Sequence, residues 1–138
     1  MSGTAPGYSA KPLATKLGIK EGFELHLINA PQEYPQLIEP LPAGTRIATR
    51  LSKNADLVHL FTTSKADLAR RLSSLRMRIK PAVAVWISWP KKAAKVPTDI
   101  TEDTVREVAL PLGFVDIKVC AVTEVWSGLK LVIRKELR

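Results

Sequence analysis

Apolar runs separated by turn-forming residues divide the chain into alternating strand and helix segments. Residues 23–30 follow two glycines and predict the first strand. Residues 57–61 and 83–89 are nearly continuous apolar runs, and the first of them is broken only by His59. Runs of this kind are typical of parallel strands that are covered on both faces. The pattern therefore predicts a sheet whose central strands are parallel.

Helical spacing of apolar residues predicts a long amphipathic helix between these two strands. A stripe recurs at positions i, i+4, i+7 and i+11: Leu68, Leu72, Leu75 and Ile79. Ser64 is placed as the N-cap, and Pro81 ends the helix because the residue before a proline avoids helical geometry. The arginines of the same segment lie elsewhere on the helical wheel.

A second helix is predicted after a basic loop at residues 90–97. Thr101 has the position of an N-cap, and Ile100 and Val105 have the spacing of a hydrophobic staple. Pro111 and Gly113 are expected to close this helix.

The remaining segments are shorter. Residues 12–17 and 32–38 predict brief helices, and residues 46–51 predict a less apolar edge strand. Alternating patterns in residues 115–121 and 129–133 predict two half-buried strands, and the loop between them is too short for a crossover helix. The fold class is therefore α/β: a three-layer Rossmann-like architecture with a mostly parallel sheet of about six strands and a C-terminal antiparallel hairpin.

Composition supports one domain of ordinary size. The chain has 138 residues, of which 46% are hydrophobic and 25% charged. We expect residues 1–10 to form a flexible tail and residues 11–138 a single domain. The sequence has no apolar stretch long enough to span a membrane and one cysteine, Cys120, so a cytoplasmic location is expected. The net charge of +8 would attract anions, without choosing among them.

The order of elements resembles that of class I S-adenosylmethionine-dependent methyltransferases. The resemblance rests on strand 56–61, strand 83–89, the terminal hairpin and the turn Ile79-Lys80-Pro81-Ala82-Val83, where that family has an LKPGG-like turn. Both glycines are replaced here. The whole chain is also similar to a set of small bacterial proteins known as a domain of unknown function, through residues 16–20, 29–31, 56–61, 88–92 and 126–130. That second similarity implies no activity.

Two contacts that a methyltransferase makes with its cofactor are missing from the sequence. The family has a glycine-rich turn after the first strand, so that backbone amides can approach the cofactor. Here the turn reads Asn29-Ala30-Pro31-Gln32-Glu33-Tyr34, and the proline lacks an amide hydrogen. The second strand ends in Thr49-Arg50-Leu51, with a basic residue where the family has an acid that binds the ribose. Both departures argue against methyl transfer.

Other chemistries have weaker signatures still. The sequence contains no Walker loop, nucleophile elbow or paired-cysteine zinc motif. His26 and His59 fall in strands predicted to be neighbours, but two histidines without a third ligand favour packing over a metal site. Ser88 near Lys91 does not have the spacing of a serine-lysine catalytic motif. We assign no catalytic residue, metal or cofactor from the sequence.

A ligand site, if present, is expected beyond the carboxyl ends of the parallel strands. That rule gathers seven candidate residues on one rim: Asn29, Thr62, Ser64, Ser88, Trp89, Lys91 and Lys92. The helix that starts at Ser64 would offer free backbone amides, and the lysines would offer cations, for a phosphate or carboxylate. Trp89 could stack on a ring or plug the end of the sheet, and the plug is preferred.

The sequence thus favours a non-catalytic Rossmann-like module that binds a small anionic ligand or a protein partner. The alternative is a divergent S-adenosylmethionine-dependent transferase. Nucleic-acid binding through the arginines of residues 64–79 comes third, because aromatic residues are not interleaved with them. No membrane partner is expected.

Overall fold

The computed structural model describes residues 11–138, so the tail predicted for residues 1–10 lies outside the described part of the chain. The core is one six-stranded sheet in the order β2-β1-β3-β4-β6-β5. Its strands are β1 (Glu24–Ile28), β2 (Arg46–Ala48), β3 (Leu57–Phe61), β4 (Ala84–Pro90), β5 (Phe114–Ala121) and β6 (Trp126–Ile133). Strands β2, β1, β3 and β4 are parallel to one another, whereas β6 is antiparallel to both β4 and β5. The mostly parallel sheet with a terminal antiparallel hairpin is confirmed.

Helices cover both faces of the sheet and give the predicted three layers. They are α1 (Leu13–Leu17), α2 (Tyr34–Leu37), α3 (Lys65–Arg78) and α4 (Glu102–Ala109), with short 3-10 turns at Lys92–Ala94, Leu110–Leu112 and Lys135–Leu137. Helices α3 and α4 bury the apolar residues of one face, including Leu68, Leu72 and Val105. Helices α1 and α2 cover the opposite face with Leu17 and Tyr34. No helix within residues 11–138 is long and apolar enough to cross a membrane.

The helix starts form where the capping residues predict them. The Ser64 hydroxyl accepts a hydrogen bond from the backbone N–H of Asp67 at 3.2 Å. Thr101 and Thr104 form a reciprocal capping box at the start of α4. Local side-chain hydrogen bonds therefore determine where both long helices begin.

Two strands differ from their predicted form. Strand β2 is three residues long, because the chain bends away at residues 49–50. In β5, the apolar side chains of Ile117 and Val119 are 56% and 52% exposed. This strand is the edge of the sheet, and its register is irregular between Asp116 and Lys118, where Ile117 has no partner on β6.

The connection from β2 to β3 determines where a ligand can reach the sheet. Residues 49–56 cross between these strands without forming a helix, whereas β3 and β4 are joined by α3. No helix of this connection covers the α3-side face of β1 and β2. A cleft lies on that part of the sheet.

Candidate functional site at the carboxyl edge of the sheet

The seven residues predicted to form one rim lie in four separate environments. Asn29 lies in a cleft beside α3, whereas Trp89, Lys91 and Lys92 line a second cleft at the end of β4. Thr62 and Ser64 belong to the hydrogen-bond network at the start of α3, and Ser88 is fully buried. The predicted residues therefore do not form one continuous surface.

The start of α3 does not present the free amides that the sequence suggests. The backbone N–H of Lys65 donates to Asp99 Oδ1 at 2.7 Å, and that of Asp67 donates to Ser64 Oγ. Thr62 Oγ1 donates to Asp67 Oδ2 at 2.9 Å. Two carboxylates already occupy the positive end of the helix, so an anionic ligand would be repelled there.

Ser88 is part of a buried hydrogen-bonded chain and not of the rim. Its Oγ lies 2.7 Å from His59 Nε2, and His59 Nδ1 lies 2.8 Å from the hydroxyl of Tyr34. All three side chains are fully buried. A serine this close to a histidine has the geometry of a nucleophile and its base, but no substrate can reach it. The chain therefore satisfies polar groups inside the core.

Burial also keeps the hydrogen-bonded side chains of Ser88, His59 and Tyr34 uncharged. It lowers the pKa of His59 to about 3 and raises the pKa of Tyr34 above its usual value. A neutral imidazole has one N–H and one acceptor nitrogen, so one hydroxyl donates to the ring and the other accepts from it. Both hydroxyl oxygens and both ring nitrogens thus have a partner without a charge in the core.

The two histidines of neighbouring strands face opposite sides of the sheet. His26 is paired in register with Val58, which belongs to the core under α3 and α4, while His59 contacts Tyr34 of α2. They cannot share a ligand. Within residues 11–138, no group of three or more histidine, cysteine, aspartate or glutamate side chains could hold a metal ion.

Trp89 lines the second cleft, which we call the tryptophan cleft and which has a volume of about 540 Å³. The indole is only 6% exposed and packs into the core under α4, as a plug does. Lys91 and Lys92 line the same cleft, together with the carboxylate of Glu102. The ligand-binding role of Trp89 and the lysines stays a prediction.

Asn29 has an unusual backbone conformation at the end of β1. Its φ is 58°, in the left-handed region that glycine adopts freely and that asparagine tolerates better than most residues. From the missing glycine after β1, we predict that the backbone amides of this turn cannot approach a cofactor. The structure makes that turn with asparagine instead.

A second glycine-free turn gives the same result. In the segment that resembles LKPGG, the backbone N–H of Val83 donates to the carbonyl of Lys80 at 3.0 Å, across Pro81 and Ala82. Proline at the second position favours such a turn. The loss of both glycines therefore does not remove the turn.

The cleft beside Asn29 has a strongly basic wall, and we call it the arginine cleft. It has a volume of about 520 Å³ and opens at the ends of β1 and β2. Its lining includes His26, Ile28, Asn29, Thr49, Leu51, Arg70, Arg71, Ser74, Leu75 and Arg78. A volume of this size suits a small-molecule ligand.

Most residues of the arginine cleft are absent from the predicted rim. Arg71, Ser74 and Arg78 read as a solvated helix face in the sequence, because the wheel shows only that they avoid the apolar stripe. Their accessibility to a ligand depends on the missing helix between β2 and β3. The one feature of the sequence that pointed to the residues of this cleft was the run of basic residues in α3.

Solved structures with a similar architecture include S-adenosylmethionine-dependent methyltransferases. A methyltransferase from Aquifex aeolicus matches with a TM-score of 0.65 and 14% identity, covering 88% of each chain. Aeropyrum pernix fibrillarin with natively bound S-adenosylmethionine matches at 0.58 and 12%, covering 87% of this chain and 73% of that one. Magnesium protoporphyrin IX methyltransferase from Synechocystis, with bound cofactor, matches at 0.56 and 11%, covering 88% and 74%. At these identities the similarity shows a shared fold.

No family model and no curated protein matches the sequence. The structural neighbours nevertheless contradict two predictions. One is that the protein is a non-catalytic module, and the other is that it binds a ligand or partner without being an enzyme. They favour the alternative, a divergent transferase. The prediction rested on the missing glycine after β1 and on Arg50 at the end of β2. Asn29 forms the turn at φ 58°, in the region that glycine adopts, so the first of these grounds is weaker than the sequence indicates.

Proposed function

We propose that this protein is a divergent S-adenosylmethionine-dependent transferase that holds its cofactor at the ends of β1 and β2. The observation that carries the proposal is the left-handed turn at Asn29, at the mouth of an open cleft. In open α/β sheets, ligands bind beyond the carboxyl ends of the strands. When bound there, S-adenosylmethionine would supply a methyl group, which leaves its sulfur for a nucleophile of the substrate.

The turn after β1 fits the cofactor in its shape. Asn29 is exposed and left-handed, so the backbone turns sharply at the strand end without a large side chain in the way. Ala30 adds a small side chain and an amide hydrogen, and Pro31 adds none. Fewer amides are available than in a glycine-rich turn, which is the sense in which the site is divergent.

The end of β2 fits the cofactor through different groups from those of the family. Thr49 and Leu51 line the cleft and offer a hydroxyl for a ribose oxygen and an apolar surface for a base. Arg50 stands where the family has an acid. The sulfonium and ammonium groups of the cofactor are cations, so they belong at the Asn29 turn and not among the arginines of α3.

The proposal also covers the family of the protein and its location in the cell. Membership of the small bacterial family is supported by the segments quoted above, and a cytoplasmic location is supported by the free Cys120 thiol. Burial raises the pKa of that thiol, which keeps it protonated and unreactive.

Substitutions at Asn29 test the proposal, with binding of S-adenosylhomocysteine measured by isothermal titration calorimetry. Asn29→Gly keeps the left-handed turn, so we expect its affinity to match that of the unaltered chain. Asn29→Val forces a β-branched residue into that region at a cost of about 1–2 kcal/mol, so we expect roughly tenfold weaker binding.

Asn54→Val is the matched control, because Asn54 is exposed, lies outside both clefts and has no left-handed backbone. Its affinity should be unchanged. The proposal fails if the unaltered chain does not bind S-adenosylhomocysteine or S-adenosylmethionine. It also fails if Asn29→Val and Asn54→Val bind equally well.

A further inference from the structure

The α3 wall of the arginine cleft carries three cationic side chains and no acid. Arg71, Ser74 and Arg78 are spaced i, i+3 and i+7, so they form one stripe along the helix that faces the cleft. Arg70 lies beside Arg71 near the rim. No aspartate or glutamate of the described chain lines this cleft. Its electrostatic potential therefore favours an anion.

The arginines differ in how far their charge is already neutralised. Asp67 accepts from Arg70 Nη2 at 2.5 Å and from Arg71 Nε at 3.0 Å, so both are held near the rim by one carboxylate. Arg78, the exposed last residue of α3, has no carboxylate partner within residues 11–138. An uncompensated arginine of this kind is a strong donor for phosphate oxygens.

The cleft also contains a buried polar atom without a partner. His26 is 9% exposed and lines the cleft, and its Nδ1 makes no hydrogen bond to any described residue. Buried polar atoms are nearly always paired, so an unpaired one marks a place where a ligand or water completes the site. Burial is the main cause that lowers the pKa of His26; a hydrogen bond to the backbone of Ala48 opposes it, and the charge of Arg78 acts in the same direction as burial. A nearby anion would oppose both effects.

We propose that the arginine cleft binds the phosphate group of a small phosphorylated substrate. Describing the ligand as a substrate rests on the proposed transferase function, whereas the phosphate site rests on the cleft alone. The three arginines supply charge and fixed donors, Ser74 supplies a hydroxyl, and the ring of His26 lies in the lining with its Nδ1 buried and unpaired. A cleft of about 520 Å³ fits a small molecule better than a polynucleotide, which needs an extended groove.

Histidine NMR tests this site, because the chain has two histidines on opposite faces of the sheet. Inorganic phosphate is titrated into the full ¹⁵N-labelled chain, with sodium chloride at matched ionic strength as the reference. We expect the His26 ring signals to shift with saturation and the His59 signals to stay fixed. Absence of a saturable His26 shift would overturn the proposal.

Two charge-removing variants separate a defined site from general basicity. Arg78→Gln should weaken phosphate binding by about tenfold, since it removes the uncompensated donor. Lys80→Gln removes the same charge from an exposed residue that does not line the cleft, and should leave the affinity within about twofold. Equal losses in both variants would contradict a built site, as would a single-stranded oligonucleotide that binds more tightly than phosphate and is weakened equally by both.

Binding of the cofactor is measured separately from binding of phosphate. S-adenosylhomocysteine binding without a phosphate response would overturn the phosphate site and leave the transferase proposal standing. A saturable phosphate response without cofactor binding would support the phosphate site and overturn the transferase function. The two failures are therefore distinguishable in the same set of samples.

Discussion

Replacing Trp86 with alanine is expected to lower the free energy of unfolding by about 3–5 kcal/mol. Trp86 is fully buried at the centre of β4, and its Nε1 donates to the backbone carbonyl of Leu17 at 2.8 Å. The substitution leaves a large cavity and deprives the end of α1 of its hydrogen bond to the sheet. Urea denaturation followed by circular dichroism measures the loss.

Trp126→Ala is the matched control for this prediction. Trp126 lies on the same face of the sheet but is half-buried, and it makes an edge-to-face contact with Phe61 at a centroid distance of 5.1 Å. Its loss should cost less, because less apolar surface is removed from the core. If Trp126→Ala were as destabilising as Trp86→Ala, the described core under α1 and α2 would be wrong.

The parts of the fold that the sequence predicts correctly depend on local spacing. The stripe ending in Ile79 fixes α3, and the hydroxyls of Ser64 and Thr101 mark both long helix starts to the residue. The apolar run of β3 shows that it is covered on both faces, and all five of its residues are buried. Each of these signals lies within a dozen residues of the element that it determines.

The candidate site could not be predicted in the same way, because it depends on contacts between distant segments. Ser88 reads as a rim residue until His59, 29 residues earlier, is seen beside it. From the sequence, the backbone amide of Lys65 is expected to be free, but in the structure it donates a hydrogen bond to Asp99. The arginine cleft exists because residues 49–56 form no helix, and the wheel of α3 cannot show which of its polar residues will face an uncovered sheet.

The backbone at Asn29 shows a different limit of sequence reasoning. Glycine is the commonest residue in a left-handed turn, but the requirement is the positive φ and not the glycine itself. Asparagine meets the conformational requirement here, whereas the close approach of backbone amides to a cofactor is a separate requirement. The argument from Arg50 is of another kind: no backbone conformation converts a guanidinium into a carboxylate, so the departure at β2 persists.

Acidification is expected to destabilise the protein through His59, well above the pH at which carboxylates titrate. Its folded pKa of about 3 lies below the ordinary value of 6.5, because the ring is buried without a charged partner. Between those values the unfolded chain binds a proton at His59 that the folded chain does not, so stability falls as pH falls. The expected loss is about 2 kcal/mol from pH 7.5 to pH 5 and roughly 4 kcal/mol by pH 3.

Urea denaturation at several pH values between 7.5 and 5 measures this effect, with His59→Gln as the comparison. Glutamine can still donate to one hydroxyl and accept from the other of Ser88 and Tyr34, but it does not titrate. The unfolding free energy of the variant should therefore vary less with pH, by about 2 kcal/mol over this range. His26 also has a lowered pKa and contributes a residual slope to both proteins, so the difference between them isolates His59. Identical slopes would mean that His59 is charged, or exposed to water, in the folded state.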